Sequence, residues 1–192
     1  WGRIIMAVGK ANVPINIETD SIREDYRIRR AIPTIDYLID AGAKVILGSH
    51  LGRPKGKVVK NLSLQIVSKR LSELIDKEVF FVEDFIESKL AEKLDNLPNG
   101  SVIMLENLRF HKEETDNDSK FSSSLAKLAD VYVNEAFGTS HREHCSTHGM
   151  AKDFENKISG FLVDKELSFV SKMMKKPEHP FLVIIGGSKI KD

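Results

Sequence analysis

Ala41-Gly-Ala-Lys-Val-Ile-Leu-Gly-Ser-His-Leu-Gly-Arg-Pro-Lys-Gly56 holds three signals in sixteen residues. Gly42 stops a helix, Ala43-Lys-Val-Ile-Leu47 reads as a strand, and a glycine-rich loop carrying His50 and Arg53 follows. Upstream, Ile28, Ala31, Ile32, Ile35, Leu38 and Ile39 recur at helical spacing, which predicts a helix to Ala41. Pro33 must kink that helix or sit in its first turn, because proline lacks the N–H that an interior position donates. Before the helix, Arg3-Ile-Ile-Met-Ala-Val8 is a second apolar run of strand type. Strand, helix, strand at this spacing is a βαβ unit, and such units build parallel sheets.

The alternation continues. Leu64, Val67, Leu71, Leu74 and Ile75 make a helical stripe with Asn61 or Ser63 as candidate cap, and Glu78-Val-Phe-Phe-Val82 is a strand. Asp84, with Glu87 three residues on, can cap a helix through Leu94, and Asn99-Gly100 turns the chain into Ser101-Val-Ile-Met-Leu105. Ser119 to Leu128 reads as helix, Val131-Tyr-Val133 as strand, and Asp164 to Lys175 as helix again. Pro177 and Pro180 then precede an apolar run, Phe181 to Ile185, of strand type. Short, continuously apolar strands are those whose two faces are both covered by helices. The expected fold is α/β: an open, mostly parallel sheet with helices on both faces, a Rossmann-like three-layer sandwich.

Composition bounds the function. The chain has 192 residues, 41% hydrophobic and 30% charged, which suits a soluble globular protein rather than a disordered one. A formal net charge of +1 argues against nucleic-acid binding by bulk electrostatics. Cys145 is the single cysteine, which excludes a disulfide framework and a cysteine zinc site and suits a reducing compartment. No stretch reaches the ~18 apolar residues of a membrane span, and Trp1-Gly2-Arg3 does not open a signal peptide, so a cytoplasmic location with no membrane partner is expected.

In open parallel sheets, ligands bind beyond the carboxyl ends of the strands. Gly48-Ser-His50-Leu-Gly-Arg53 follows one strand, Glu106-Asn-Leu-Arg109-Phe-His111 another, and Asn134-Glu-Ala-Phe-Gly-Thr-Ser-His141-Arg142-Glu-His144 a third. Gly186-Gly187-Ser-Lys189 follows the last apolar run, and Arg27 opens the first helix. Scattered arginines and histidines thus gather on one edge. Guanidinium forks match carboxylates and phosphates in pairs of hydrogen bonds, so such a ring suits a small, multiply anionic ligand. His111 reads better as a scaffold residue than as an acid–base catalyst, and Cys145 as a small core or loop residue. No phosphate-binding G-x-x-x-x-G-K-[ST] loop and no G-x-G-x-x-G is present. His141 and His144 have no third partner in register for zinc, so no metal site is expected.

At these loops the chain resembles the amino-terminal domain of the phosphoglycerate kinase family. The likeness is carried by Arg27-Ile-Arg-Arg-Ala-Ile-Pro-Thr-Ile35, the stretch from Ala41 to Gly56, Leu105-Glu-Asn-Leu-Arg-Phe-His111, Asn134 to His144 and Gly186-Gly-Ser-Lys189, in the family's order along nearly the whole chain. The resemblance implies a two-domain kinase that moves a phosphoryl group between 1,3-bisphosphoglycerate and ADP, giving 3-phosphoglycerate and ATP with magnesium. On it, residues 1–163 are the phosphoglycerate-binding domain, 164–180 an interdomain helix and linker, and 181–192 the start of a nucleotide-binding domain that breaks off at Asp192. Asn12, Arg27, His50, Arg53, Arg109 and Arg142 fall on substrate-binding positions, and His141 and His144 beside them. Arg27 and Lys189 fall where charge on the transferring group is stabilised, with Gly186 and Gly187 supporting. Nucleotide and magnesium would be held mainly by the second domain, and the full enzyme is expected to be a monomer.

The likeness fails in one block. The family reads Arg-Val-Asp-Phe-Asn-Val-Pro where this chain has Ala7-Val-Gly-Lys-Ala-Asn-Val-Pro14, without the Asp that contacts the substrate hydroxyl; Lys10 cannot replace an acceptor. Glu135 also stands where the family usually has Asp. The altered block leaves room for a second reading, a non-catalytic anion-binding module derived from the same fold. A third, nucleic-acid binding, rests on 11 Lys/Arg against 6 Asp/Glu in residues 1–60, an excess that the substrate patch accounts for. On the kinase reading the 192-residue chain alone should show no turnover in a coupled assay with ATP and 3-phosphoglycerate. Substantial turnover refutes that expectation.

Overall fold

The computed structural model describes residues 2–9, 12–16, 19, 21–86, 90–175, 177–182 and 184. In chain order the strands and α-helices are β1 (Ile4–Gly9), β2 (Ile15–Asn16), β3 (Ser21–Ile22), α1 (Tyr26–Asp40), β4 (Lys44–Gly48), α2 (Gln65–Ile75) and β5 (Val79–Val82). There follow α3 (Leu90–Asn96), β6 (Val102–Leu105), α4 (Lys112–Asp116), α5 (Ser119–Ala126), β7 (Val131–Glu135), β8 (Asn156–Ser159) and α6 (Phe161–Lys175). Six strands form one sheet in the order β5-β6-β4-β1-β7-β8, and every neighbouring pair in it is parallel. β2 and β3 make a separate two-stranded antiparallel pair, Ile15 opposite Ile22.

The alternation of side chains along each strand divides the core in two. On one face Ile5, Ala7, Val45, Leu47, Val102 and Met104 pack under α1 and α2 through Ile28, Ile35, Leu38, Val67 and Leu71. On the other, Met6, Val8, Ile46, Ile103, Leu105 and Tyr132 pack under α3 and α5 through Leu90, Leu94, Phe121 and Leu125. A sheet buried on both sides needs the continuous apolar runs that the sequence shows. The three-layer α/β fold expected from the sequence is the fold observed.

Several elements differ from the sequence reading in detail. Pro33 lies in the interior of α1, where it omits one backbone rung while the helix continues to Asp40. α6 starts at Phe161, three residues before the expected Asp164. The start is set by tertiary contacts: Phe161 N–H donates to Thr34 Oγ1 at 3.0 Å and Leu162 N–H to Glu135 Oε1 at 3.5 Å. Asp84 accepts from Ile86 N–H at 3.1 Å, and the described helix beyond it begins at Leu90; Glu87 lies outside the described residues. Residues 181, 182 and 184 carry no strand, so the expected run Phe181–Ile185 is not seen as one; 183 and 185 lie outside the described residues. β8, exposed along its whole length and polar but for Ile158, is not among the elements the sequence predicts.

Glu135 closes β7 against two helices. Its carboxylate accepts from the Thr34 hydroxyl of α1 and from the first turn of α6, while Oε2 is buried without a partner among the described residues; burial pushes its pKa up. A negative group suits a helix amino terminus. Gly160 makes room for it, since a Cβ there would lie 2.0 Å from Glu135 Oε1 and 2.2 Å from Cδ. Gly160→Ala should therefore push Glu135 out of its place and destabilise the protein by about 1–3 kcal/mol. Urea unfolding with an unchanged midpoint would contradict this packing.

Candidate functional site

The loops beyond β6, β4 and β7 meet because the sheet places β6 beside β4, and β7 one strand further, across β1. Asn107, 0% exposed, holds the first two together. Its amide Nδ2 donates to the carbonyls of Leu51 and Leu62, both at 2.8 Å, and Oδ1 accepts from Arg109 N–H at 3.1 Å. Glu106 adds a second clamp: Oε1 accepts from Leu64 N–H at 2.8 Å, and Oε2 from Ser63 Oγ at 2.7 Å. Ser63 does serve the start of α2, accepting from Gln65 N–H at 3.1 Å, but a residue of another loop shares that task. Ser49 Oγ donates to Gly9 O at 2.7 Å and Asn12 Oδ1 accepts from Gly52 N–H at 3.0 Å, which ties in the end of β1.

These braces form a cleft of about 400 Å³ lined by Arg53, Lys55, Arg109, Lys112, Thr115, Asp116, Arg142 and His144. Five of the eight are cations. Asp116 pairs with Lys112 at 3.6 Å on the exposed side, a contact of small energetic weight. Arg109 forms the floor. It is 8% exposed, and its Nη1 donates to Gly52 O at 3.2 Å, but Nε and Nη2 are buried with no partner among the described residues. Burial lowers its pKa, as do the like charges of Arg142 and Arg53; the Glu114 carboxylate opposes them. Burial, then Arg109, Arg142 and His141, likewise bias His144 toward the neutral imidazole. Lys55 takes a left-handed φ of 58° at the rim, and Gly56 beside it is required by close approach. A Cβ on Gly56 would lie 2.8 Å from Lys112 Cβ and 3.0 Å from its Cα.

Of the residues singled out from sequence, Arg53, Arg109, Arg142 and His144 line this cleft together. His141 stands at its side, accepting from Arg142 Nε at 3.3 Å. Arg27 and His50 do not line it. The Arg27 guanidinium donates to the Asn12 carbonyl, beside the β1 and β4 ends, and His50 is half-buried in the loop after β4. The expectation of one ring thus becomes a cleft and a separate arginine nearby. His111 packs its ring against Phe85 and Phe121, at centroid distances of 5.1 and 5.2 Å. Lys10, Gly186, Gly187 and Lys189 lie outside the described residues. Lys55, Lys112, Asn107 and Glu114 were missed. The two lysines sit in or next to quoted blocks, so adjacency could have found them. No spacing tells that Glu114 is buried while Glu113 is exposed.

A cleft of this kind can hold an anion by paired, charge-assisted hydrogen bonds. Among the described residues, no group of three or more His, Cys, Asp or Glu could hold a metal ion. No helix among them is long and apolar enough to cross a membrane.

Comparison with known proteins gives a consistent result. A family model described as phosphoglycerate kinase matches residues 2–192. A phosphoglycerate kinase of Gloeothece citriformis is 47% identical over 189 residues, covering 98% of this chain and 47% of that protein. A chloroplastic phosphoglycerate kinase of Volvox carteri is 46% identical, covering 98% and 41%. The structure of phosphoglycerate kinase from Coxiella burnetii superposes with a TM-score of 0.83 at 34% identity, over 93% of this chain and 44% of that one. The chain spans about half the length, or slightly less, of these relatives. The alternative of a non-catalytic module finds no support in these matches.

Asn107→Ala should strip the buried Leu51 carbonyl and the partly buried Leu62 carbonyl of their donor and let the 51–62 loop drift from Arg109. The expected loss is about 2–4 kcal/mol of stability, since unsatisfied buried groups cost ~1–3 kcal/mol each, together with weaker anion binding. Calorimetric unfolding and a sulfate titration of the same variant check both.

Proposed function

The chain belongs to the phosphoglycerate kinase family, and on that premise we propose that its basic cleft holds the phosphate of 3-phosphoglycerate or 1,3-bisphosphoglycerate. The whole protein would then transfer a phosphoryl group reversibly between the acyl phosphate of 1,3-bisphosphoglycerate and ADP, giving 3-phosphoglycerate and ATP. The observation that carries the reading is Arg109. A guanidinium that is nearly wholly buried, with two nitrogens unpartnered among the described residues and like charges beside it, suits an anion.

Such transfer asks a protein for position and charge rather than for a covalent nucleophile. The acceptor in the reverse direction is a carboxylate, already ionised at neutral pH, so no general base is required. Arg53, Arg109 and Arg142 would grip the far phosphate, with Lys55 and Lys112 at the rim. Arg27, set apart near Asn12 and the β1 end, is assigned to charge on the group in flight, as is Lys189 by resemblance alone. Asn12 is assigned to the substrate through its place between Arg27 and Gly52, and His50 and His141 to its surroundings. By the family resemblance alone, nucleotide and magnesium are assigned mainly to the second domain, and no step is routed through them. A cytoplasmic monomer that binds neither membrane nor nucleic acid completes the proposal; the net charge of +1 accords with it.

Calorimetric titration of 3-phosphoglycerate into the 192-residue chain tests the reading, and absence of binding at millimolar ligand overturns it. Arg109→Met gives a sharper outcome. Removing this buried, repelled guanidinium, whose Nε and Nη2 have no hydrogen-bond partner among the described residues, should leave the empty protein about as stable as before, while affinity falls by about two orders of magnitude. Ligand at ~100 times the parent's Kd should stabilise the parent by about 2.7 kcal/mol and the variant, then at about its own Kd, by only ~0.4 kcal/mol.

A further inference from the structure

Glu114 is a charged side chain that the reaction does not use, yet it is 2% exposed. It stands on α4, the turn of helix that follows Arg109, and reaches across to a segment 32 residues away. Its Oε2 accepts from Ser146 N–H at 3.0 Å and its Oε1 from Ser146 Oγ at 2.5 Å. Ser146 is held from the other side as well, since Tyr132 Oη donates to its carbonyl at 3.0 Å. The next residue, Thr147, donates its hydroxyl to the Arg142 carbonyl at 2.9 Å. The two cation-bearing loops of the cleft are therefore joined through one carboxylate. On one side is Arg109; on the other are Arg142 and His144.

We propose that Glu114 is the positioning residue and buried counter-charge of the basic cleft, so that its carboxylate and a bound anion compete for the field of the same cations. The proposal rests on the reading of the cleft as an anion site. The groups that face Glu114 are Arg109 from the turn after β6, Tyr132 from β7, and Ser146 and Cys145 from the segment after His144. Burial holds Tyr132 in its neutral form and pushes the Cys145 thiol up to about 11, so neither supplies charge near neutral pH. Arg109 is the cation that Glu114 feels. Burial raises Glu114 to about 7, against the opposing pull of Ser146 and Arg109.

The sign follows from these contacts. An anion entering the cleft offsets the Arg109 charge that favours the carboxylate, so Glu114 takes up a proton as the anion binds. Conversely, a protonated Glu114 leaves the cleft more positive, and anion affinity rises as pH falls from 8 to 6. Protonation of His144 would act in the same direction, so the difference between the parent and Glu114→Gln isolates Glu114. Glutamine keeps the size and an acceptor for Ser146, and removes the charge.

Sulfate is the probe, since it stays a dianion over this range. Calorimetric titrations at pH 6, 7 and 8, in buffers of different ionisation enthalpy, read affinity and proton uptake together. Glu114→Gln should bind sulfate several-fold to about tenfold more tightly than the parent at pH 8, converge with it at pH 6, and take up fewer protons at pH 7. Ser146→Ala, which removes one hydrogen bond to the carboxylate, should move the parent's pH midpoint upward and supplies the test if the glutamine variant does not fold. Parallel pH profiles with equal proton uptake would overturn the proposal while leaving the anion site intact. No sulfate binding by any of the three proteins would overturn the anion site and the proposal together.

Discussion

The Asn107 side chain sits where three pieces of chain would otherwise face one another with unpaired polar groups. Its amide spans the carbonyls of Leu51 and Leu62 at 2.8 Å, and its oxygen takes the Arg109 N–H at 3.1 Å. Because the residue is wholly shielded, no water can replace those bonds, and the loop after β4 must stand where the turn after β6 needs it. The geometry of the cleft depends on this amide. Arg109 leaves the turn at a fixed point and finds Gly52 O within reach, with Arg53 and Lys55 lining the same cleft, because Asn107 has set the 51–62 segment in place.

A cluster of like charges in a half-enclosed cleft works against folding. Arg109 is held with two nitrogens unpaired among the described residues and with Arg142 and Arg53 as repelling neighbours. The surrounding structure bears this strain through bonds that do not themselves touch the cleft's contents: the Glu106 clamp on α2, the Ser49 bond to Gly9, and the Glu114 bridge to Ser146. Functional sites commonly store unfavourable arrangements that the rest of the fold over-determines. Glu114 and Glu135 show two uses of a buried carboxylate here, one beneath the cations and one at the amino terminus of α6.

The helices and strands were largely legible because each carries its own periodicity. β4 and β6 are continuous apolar runs, and α1 and α2 show their stripes despite Pro33. β8 was illegible for an equally physical reason. Asn156-Lys-Ile-Ser159 is an exposed edge strand whose pairing comes from β7 rather than from side chains of its own. The start of α6 was misplaced by three residues because Thr34 and Glu135, distant in sequence, receive its first N–H groups. At the cleft, Arg53, Arg109 and Arg142 could be named from the strand ends they follow, whereas Lys55 and Lys112 could not be told from solvated lysines. Arg27 was grouped with them on resemblance, and the structure places it apart.

By itself the sequence determined the α/β class, the layers and which loops leave the carboxyl ends of strands, since these follow from local periodicity and turn chemistry. It also carried enough specific blocks to mark the family. Only the tertiary structure decided which cations meet, because the lateral order β6-β4-β1-β7 is set by how helices pack on the sheet and not by spacing along the chain. The same holds for burial. Glu113 and Glu114 are identical side chains at adjacent positions, yet one faces water and the other lies beneath Arg109, where a charge acts through a low-dielectric interior instead of being screened.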